Sequence, residues 1–143
     1  MRIEFPLREI KTEFGPLLDP TIELQVKTTV GYRRFRFFLD TGADFSMMPN
    51  SAAELLGLNL DEAQEREVTG IEGSKVSVRL GSITLKMGVM EATIPCLFSS
   101  IESMPFLLGR MGIFDRFNIV FDNQRKRVIL ESFSPEAKKN LSG

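Results

Sequence analysis

The run Phe37-Phe38-Leu39-Asp40-Thr41-Gly42-Ala43-Asp44 decides how this chain is read. Apolar residues lead straight into an acid, followed by a hydroxyl and a glycine. A carboxylate at the inner end of an apolar strand loses hydration water. That raises its pKa unless hydrogen bonds or a shared proton compensate. Thr41 offers a hydroxyl, and Gly42 lets the backbone turn sharply and come close to the acid. This is how a reactive carboxyl is placed, rather than how a surface acid is tolerated.

Upstream of that run the pattern has period two. Thr21 to Lys27 puts Ile22, Leu24 and Val26 on one face and Glu23, Gln25 and Lys27 on the other, the signature of a half-buried strand. Asp19-Pro20 signals a turn before it, and Gly31 turns a hairpin after it. Arg34-Phe35-Arg36-Phe37 alternates again, with Phe35, Phe37 and Leu39 inward. Downstream, Ser51 to Leu58 predicts one short helix, capped by Ser51 or Asn50 and closed at Gly57. Val76 to Leu80 and Ile83 to Met87 read as strands, with Gly81-Ser82 as a two-residue hairpin turn. Glu91 to Phe98 is a further strand that buries Cys96. Gly109 to Phe117 predicts a short helix, with Ile113, Phe114 and Phe117 on one side. Residues 118–122 and 126–130 read as a hairpin. The sum is an all-β domain with one or two short helices.

The 143 residues fit one domain, and a hydrophobic fraction of 43% with 12 Phe is enough for a real core. Lys and Arg number 18 against 19 Asp and Glu. That balance argues against nucleic-acid binding, which rests on surplus positive charge. One cysteine allows no internal disulfide, and the absence of histidine removes His-based metal sites and His-assisted nucleophiles. Carboxylates, lysines or hydroxyls must carry any chemistry. No stretch approaches the roughly 20 apolar residues of a membrane span. The start, Met1 to Pro6, has no apolar h-region, so the expected location is cytoplasmic.

Leu39-Asp40-Thr41-Gly42-Ala43 resembles the catalytic motif of the retropepsin-like (retroviral-type, clan AA) aspartic proteases, single-domain relatives of pepsin. Two further family elements stand in order. Phe106-Leu107-Leu108-Gly109-Arg110 matches two apolar residues, a glycine and an arginine before a short helix. Between the motifs, Thr69-Gly70-Ile71-Glu72-Gly73-Ser74 sits where the family places its flap hairpin. The resemblance implies the acid-protease fold, a small closed barrel with a flap hairpin, and a dimer. It spans residues 20–131, leaving 1–19 as an N-terminal segment and 132–143 as a C-terminal tail. The first segment could serve as an interface strand, a cleavable extension or a loose arm. For the dimer interface, Arg2 to Phe5 and Arg127 to Phe133 are alternatives.

The resemblance also implies roles. Asp40 is the catalytic acid. Thr41 braces the partner's identical loop, Gly42 lines the cleft and accepts substrate backbone hydrogen bonds, and Ala43 and Asp44 flank the substrate. Gly109 permits close approach to the catalytic strand, and Arg110 pairs with Asp44. Gly70, Ile71, Glu72 and Gly73 form the flap that closes over the substrate. Glu72 departs from the small or apolar residues the family places at the tip. No metal or cofactor is required.

Only one Asp-Thr-Gly is present, so two Asp40 carboxyls need two chains. Held about one water apart, they cannot both ionise easily and keep one proton between them. The expected activity is that of an aspartic-type endopeptidase, a hydrolase acting on a peptide or protein substrate as a homodimer. The alternative is a peptide-binding or dimerisation module of the same fold with little or no turnover.

Overall fold

Alternation of apolar and polar residues sets most of the architecture, which is nearly all strand. The computed structural model describes residues 1–69 and 73–133. The strands β1 (Arg2–Pro6), β2 (Glu9–Thr12), β3 (Gly15–Leu18), β4 (Thr21–Thr28), β5 (Gly31–Leu39) and β6 (Ser46–Pro49) lead into the helix α1 (Asn50–Leu55). Then come β7 (Glu65–Thr69), β8 (Lys75–Met87), β9 (Met90–Ser99), β10 (Leu107–Leu108), β11 (Phe117–Asp122) and β12 (Arg127–Ser132). A tight helical turn, Arg110–Phe114, joins β10 to β11. Among the described residues no helix is long and apolar enough to cross a membrane.

The main sheet runs β4-β5-β10-β6-β9-β8-β7. It curls back on itself where β4 also meets β8, through Gln25↔Lys86 and Val26↔Leu85. A second sheet, β1-β12-β11, packs across it, and β2 with β3 forms a separate hairpin. The core lies between the first two. Ile22, Leu24 and Val26 of β4 are buried, as are Phe37, Leu85, Ile94, Phe98 and Leu108. Phe117, Val128 and Leu130 close it from the second sheet. Each such side chain contributes roughly 1.5–3 kcal/mol by leaving water.

The sequence reading needs correction at several points. Gly81-Ser82 is no turn: β8 is continuous from Lys75 to Met87 and pairs with β9 from Val78 to Met87, Gly81 opposite Cys96. Glycine stands there because the Phe98 ring lies over it, and an added Cβ would meet Cε2 of that ring at 2.9 Å. The real turn is at Gly88, where φ is +63°. The helix α1 is shorter than residues 51–58. Its N-cap is Pro49 and makes no side-chain bond, so neither Asn50 nor Ser51 caps it. Instead the Glu102 carboxylate accepts the Ser51 N–H at 3.2 Å. The helix expected over 109–117 shrinks to one turn, broken at Met111 and Gly112, and Phe117 belongs to β11.

The N-terminal segment is tied into the fold. β1 pairs antiparallel with β12 of the same chain, Arg2 opposite Glu131 and Pro6 opposite Arg127. The hairpin that follows returns at Asp19, whose N–H donates to the Arg8 carbonyl at 2.8 Å. Of the tail, residues 134–143 lie outside the described residues.

Candidate active site

Asp40 follows the last residue of β5, and strand alternation fixes what surrounds it. Phe37 points into the core, its ring 5.8 Å from that of Phe106, and Phe38 points outward. β10 lies parallel beside this end of β5, Leu107 opposite Phe38 and Leu108 opposite Leu39. The Asp40 N–H donates to the Leu108 carbonyl at 3.0 Å, so β10 also holds the residue carrying the acid.

Past Asp40 the chain turns back on itself. The Gly42 N–H donates to Asp40 Oδ1 at 2.9 Å, and the Ala43 N–H to the Asp40 carbonyl at 3.3 Å. This Asx-type turn ties down one carboxylate oxygen, and among the described residues the other has no hydrogen-bond partner. Asp40 is half-buried, whereas Thr41 and Gly42 are exposed. Among the described residues the Thr41 hydroxyl has no hydrogen bond within the chain.

The loop is then bolted to the segment after β10. Arg110 N–H donates to the Ala43 carbonyl at 2.8 Å, and Met111 N–H to the Asp44 carbonyl at 2.9 Å. Gly109 N–H donates to Oγ of the buried Ser46 at 3.1 Å. A Cβ at Gly109 would lie 2.4 Å from the Phe45 carbonyl carbon and oxygen, so no other residue allows this approach. Arg110 Nη1 is 3.8 Å from Asp44 Oδ1, but both side chains are mostly exposed. Such a pair is worth little in water, and the backbone bonds do most of the holding.

In front of Asp40 opens a cleft of about 540 Å³, walled by Met47, Val68, Met104 and Leu107. It adjoins a second depression of about 410 Å³ that reaches Phe45, Val78 and Leu97. Ala43, Met47, Val68 and Thr69 line both, and Asp44 lies in the second. Size and apolar lining suit side chains of a small ligand or peptide. One wall is β7, which with the start of β8 forms a hairpin, Thr69 opposite Lys75. Its tip residues Gly70, Ile71 and Glu72 lie outside the described residues, while Gly73 is exposed with φ +77°.

Ser46, Met47, Val68 and Met104 escaped the sequence reading. Ser46-Met47-Met48 does alternate in burial, with Met48 in the core and Met47 toward the cleft. That signal was present but too short to stand out. Met104 sits in a loop with no pattern.

Behind the cleft, Arg8 Nε contacts Asp19 Oδ2 at 2.5 Å, and Asp19 Oδ1 accepts the Thr21 N–H at 3.2 Å. Burial opposes the charge on Asp19, but Arg8 and Thr21 outweigh it and hold this carboxyl below its usual range. Pro20, next to it, accepts the Leu39 N–H at 3.2 Å. Cys96 is fully buried, and burial alone pushes its thiol up to about 12.

Residues 26–113 match the family model described as "gag-polyprotein putative aspartyl protease". Among solved structures, a retropepsin-like aspartic protease from Rickettsia conorii is similar, with a TM-score of 0.59 at 16% identity. The match covers 91% of this chain and 89% of that one. The EIAV protease complexed with the inhibitor HBY-793 matches at a TM-score of 0.49 and 22% identity, over 64% of this chain and 81% of that one. No curated protein matches. The family match spans more than half of the chain and takes in both the Asp40 loop and the Gly109 segment bonded to it, so the chain belongs to the gag-type aspartyl protease family and has the retropepsin-like fold.

Proposed function

We propose that the chain is an aspartic endopeptidase that hydrolyses peptide bonds by water attack between the Asp40 carboxyls of a homodimer. The observation that carries this reading is the way Asp40 is held. One carboxylate oxygen is bound by the Gly42 N–H while the loop is fixed to β10 at Leu108, and the cleft lies directly in front.

One chain supplies one acid of this kind, so the partner supplies the second. Two carboxyls about one water apart share a proton. The ionised one takes a proton from the water, whose oxygen bonds to the scissile carbonyl carbon. The protonated one gives its proton to the carbonyl oxygen, and a neutral diol results. Proton transfer to the amide nitrogen then lets the C–N bond break. An extended peptide suits the cleft, because β7 and the Asp40 loop offer backbone groups for strand-like pairing. Gly42 accepts from the substrate backbone, Ala43 and Asp44 flank it, and the free Thr41 hydroxyl reaches the partner's loop. Arg110 steadies Asp44, and β7 walls the bound segment on one side.

The test compares the wild-type chain with Asp40→Asn on a peptide library over a wide pH range. Cleavage falls by roughly 10²–10⁴-fold in the variant if Asp40 does this work. Equal cleavage by both proteins removes Asp40 from the mechanism. Peptides that bind the wild type and stay intact at every pH turn the reading to a binding module.

A further inference from the structure

We propose that Arg66 reads an acidic side chain of the substrate, glutamate above all, seated in the depression beside the Asp40 cleft. This rests on the peptide-cleft reading above and adds which peptides the cleft prefers.

The two faces of the β7–β8 hairpin carry charge differently. Arg66 lies opposite Val78, and Val68 opposite Val76. Residues opposite one another in an antiparallel pair share a face, and so do residues two apart on one strand. Arg66, Val68, Val76 and Val78 therefore stand on one face. Val68 and Val76 wall the Asp40 cleft, and Arg66, Val68 and Val78 wall the second depression. This is the face turned to the substrate. Glu65 and Glu67 fall on the other face with Lys75 and Arg79. There each acid has its cation: Arg79 Nη2 is 3.6 Å from Glu65 Oε2, and Lys75 Nζ is 3.9 Å from Glu67 Oε2.

Arg66 has no such neighbour. Among the described residues its side chain makes one hydrogen bond, from Nη2 to Oε1 of the neutral Gln64 at 3.1 Å. Asp44, which also lines the depression, has Arg110 Nη1 at 3.8 Å from its Oδ1. With each lining acid counted beside its cation, Arg66 is the charge left over.

Shape then selects among acids. The depression holds about 410 Å³, and its floor is apolar, with Val78 and Leu97 buried beneath it. Arg66 is exposed at its edge. A glutamate lays its methylene groups on that floor and brings its carboxylate to the guanidinium. Aspartate is one methylene shorter. Under a bound peptide the pair is shielded from water, and such a charge-assisted bond is stronger than a neutral one.

An extended peptide turns alternate side chains to the same wall. The depression and the cleft share Ala43, Met47, Val68 and Thr69, so they seat side chains two residues apart. The glutamate thus lies two residues from the side chain in front of Asp40. A homodimer holds the depression twice, so the preference recurs on both sides of the cut bond.

The experiment starts from a peptide that the wild-type chain cleaves. Each residue near the cut bond is set in turn to Glu, Gln and Lys, and kcat/KM is measured for wild type, Arg66→Gln and Arg66→Glu. Peptides are compared within each protein, so a general loss of activity cancels. Where turnover is too slow, the same ratios are taken from dissociation constants. Wild type prefers Glu over Gln roughly tenfold at one position on a side. The ratio falls to about one in Arg66→Gln, and Arg66→Glu prefers Lys. A wild-type ratio near one at every position, or a ratio that survives in Arg66→Gln, overturns the assignment. So does a wild-type preference for Lys, which gives the depression to Asp44. In each of these cases cleavage stands, and the endopeptidase reading with it. A wild type that binds peptides without cutting them ends that reading, and the binding ratios still decide the role of Arg66. A chain that neither cuts nor binds any peptide overturns both.

Discussion

Replacing Gly109 by alanine tests how the site is built. Its backbone, with φ −100° and ψ −169°, is extended and suits any residue, so the added methyl brings no torsional strain. The obstacle is contact: the new Cβ would sit 2.4 Å from the Phe45 carbonyl group and 2.9 Å from the Ala43 carbonyl oxygen. Restoring an ordinary 3.4 Å contact with Phe45 requires a shift of about 1 Å between β10 and the Asp40 loop. The bonds from Gly109 N to Ser46 Oγ and from Arg110 N to Ala43 O span the same gap and lengthen with it. Overpacking of this kind costs about 1–3 kcal/mol. In a chain of this size that is a drop of roughly 3–15 °C in Tm. Displacing a catalytic group by 1 Å costs on the order of 10²-fold in rate. Peptide cleavage and thermal melting are measured side by side at a temperature where the variant is folded. Wild-type turnover with a wild-type Tm would refute the claim that close approach at Gly109 sets the position of Asp40.

Two other buried groups give independent checks. The Asp19 carboxyl is held below its usual pKa in the folded chain, so its contribution to stability is full above the unfolded value near 3.8 and is lost as pH falls through the folded value. Asp19→Asn therefore lowers stability at pH 7, by about 1–3 kcal/mol from the lost charge-assisted bonds, and the gap closes in strong acid. Denaturant curves at several pH values measure it, and a gap that persists unchanged at the lowest pH contradicts the assignment. Cys96, with its thiol pushed up to about 12 and no exposure, is inert to a thiol reagent at pH 8 in the native state and reacts on unfolding. Prompt labelling of the native protein contradicts that packing.

What could be read from the sequence follows the range of the forces involved. β4 and the inward side of β5 show plainly because alternation is a local signal, and Ile22, Leu24, Val26 and Phe37 are all buried. Gly81 misleads for the opposite reason. A glycine in a turn and a glycine under an aromatic ring look the same locally, and Phe98 lies far along the chain. β10 is only two residues long and has no period to detect, so Leu107-Leu108-Gly109 was legible as a family motif and not as a strand. The same holds for the bolt between Gly109 and Ser46, where each half is unremarkable alone. The pairing of β1 with β12 joins opposite ends of the chain and left no trace in either end. At α1, capping propensity pointed to Asn50 or Ser51, but Pro49 takes the N-cap, and the buried Asn50 Oδ1 has no partner among the described residues.

The short path from Asp40 to β11 ties the Asp40 loop mechanically to the second sheet. The Asp40 loop is bonded to Leu108, Arg110 and Met111, and the chain from Met111 runs through one tight turn into Phe117. Gly112 keeps that turn tight with φ +91°, its α-carbon so close to Ile94 that a Cβ would lie 2.6 Å from Cγ2. With so little slack, a change that loosens the turn at Gly112 reaches the Asp40 loop through the backbone bonds of Arg110 and Met111. A Cβ at Gly112 would both meet Ile94 and strain the backbone at φ +91°, so its replacement by alanine disturbs the Asp40 loop from a distance, without touching any residue of the cleft.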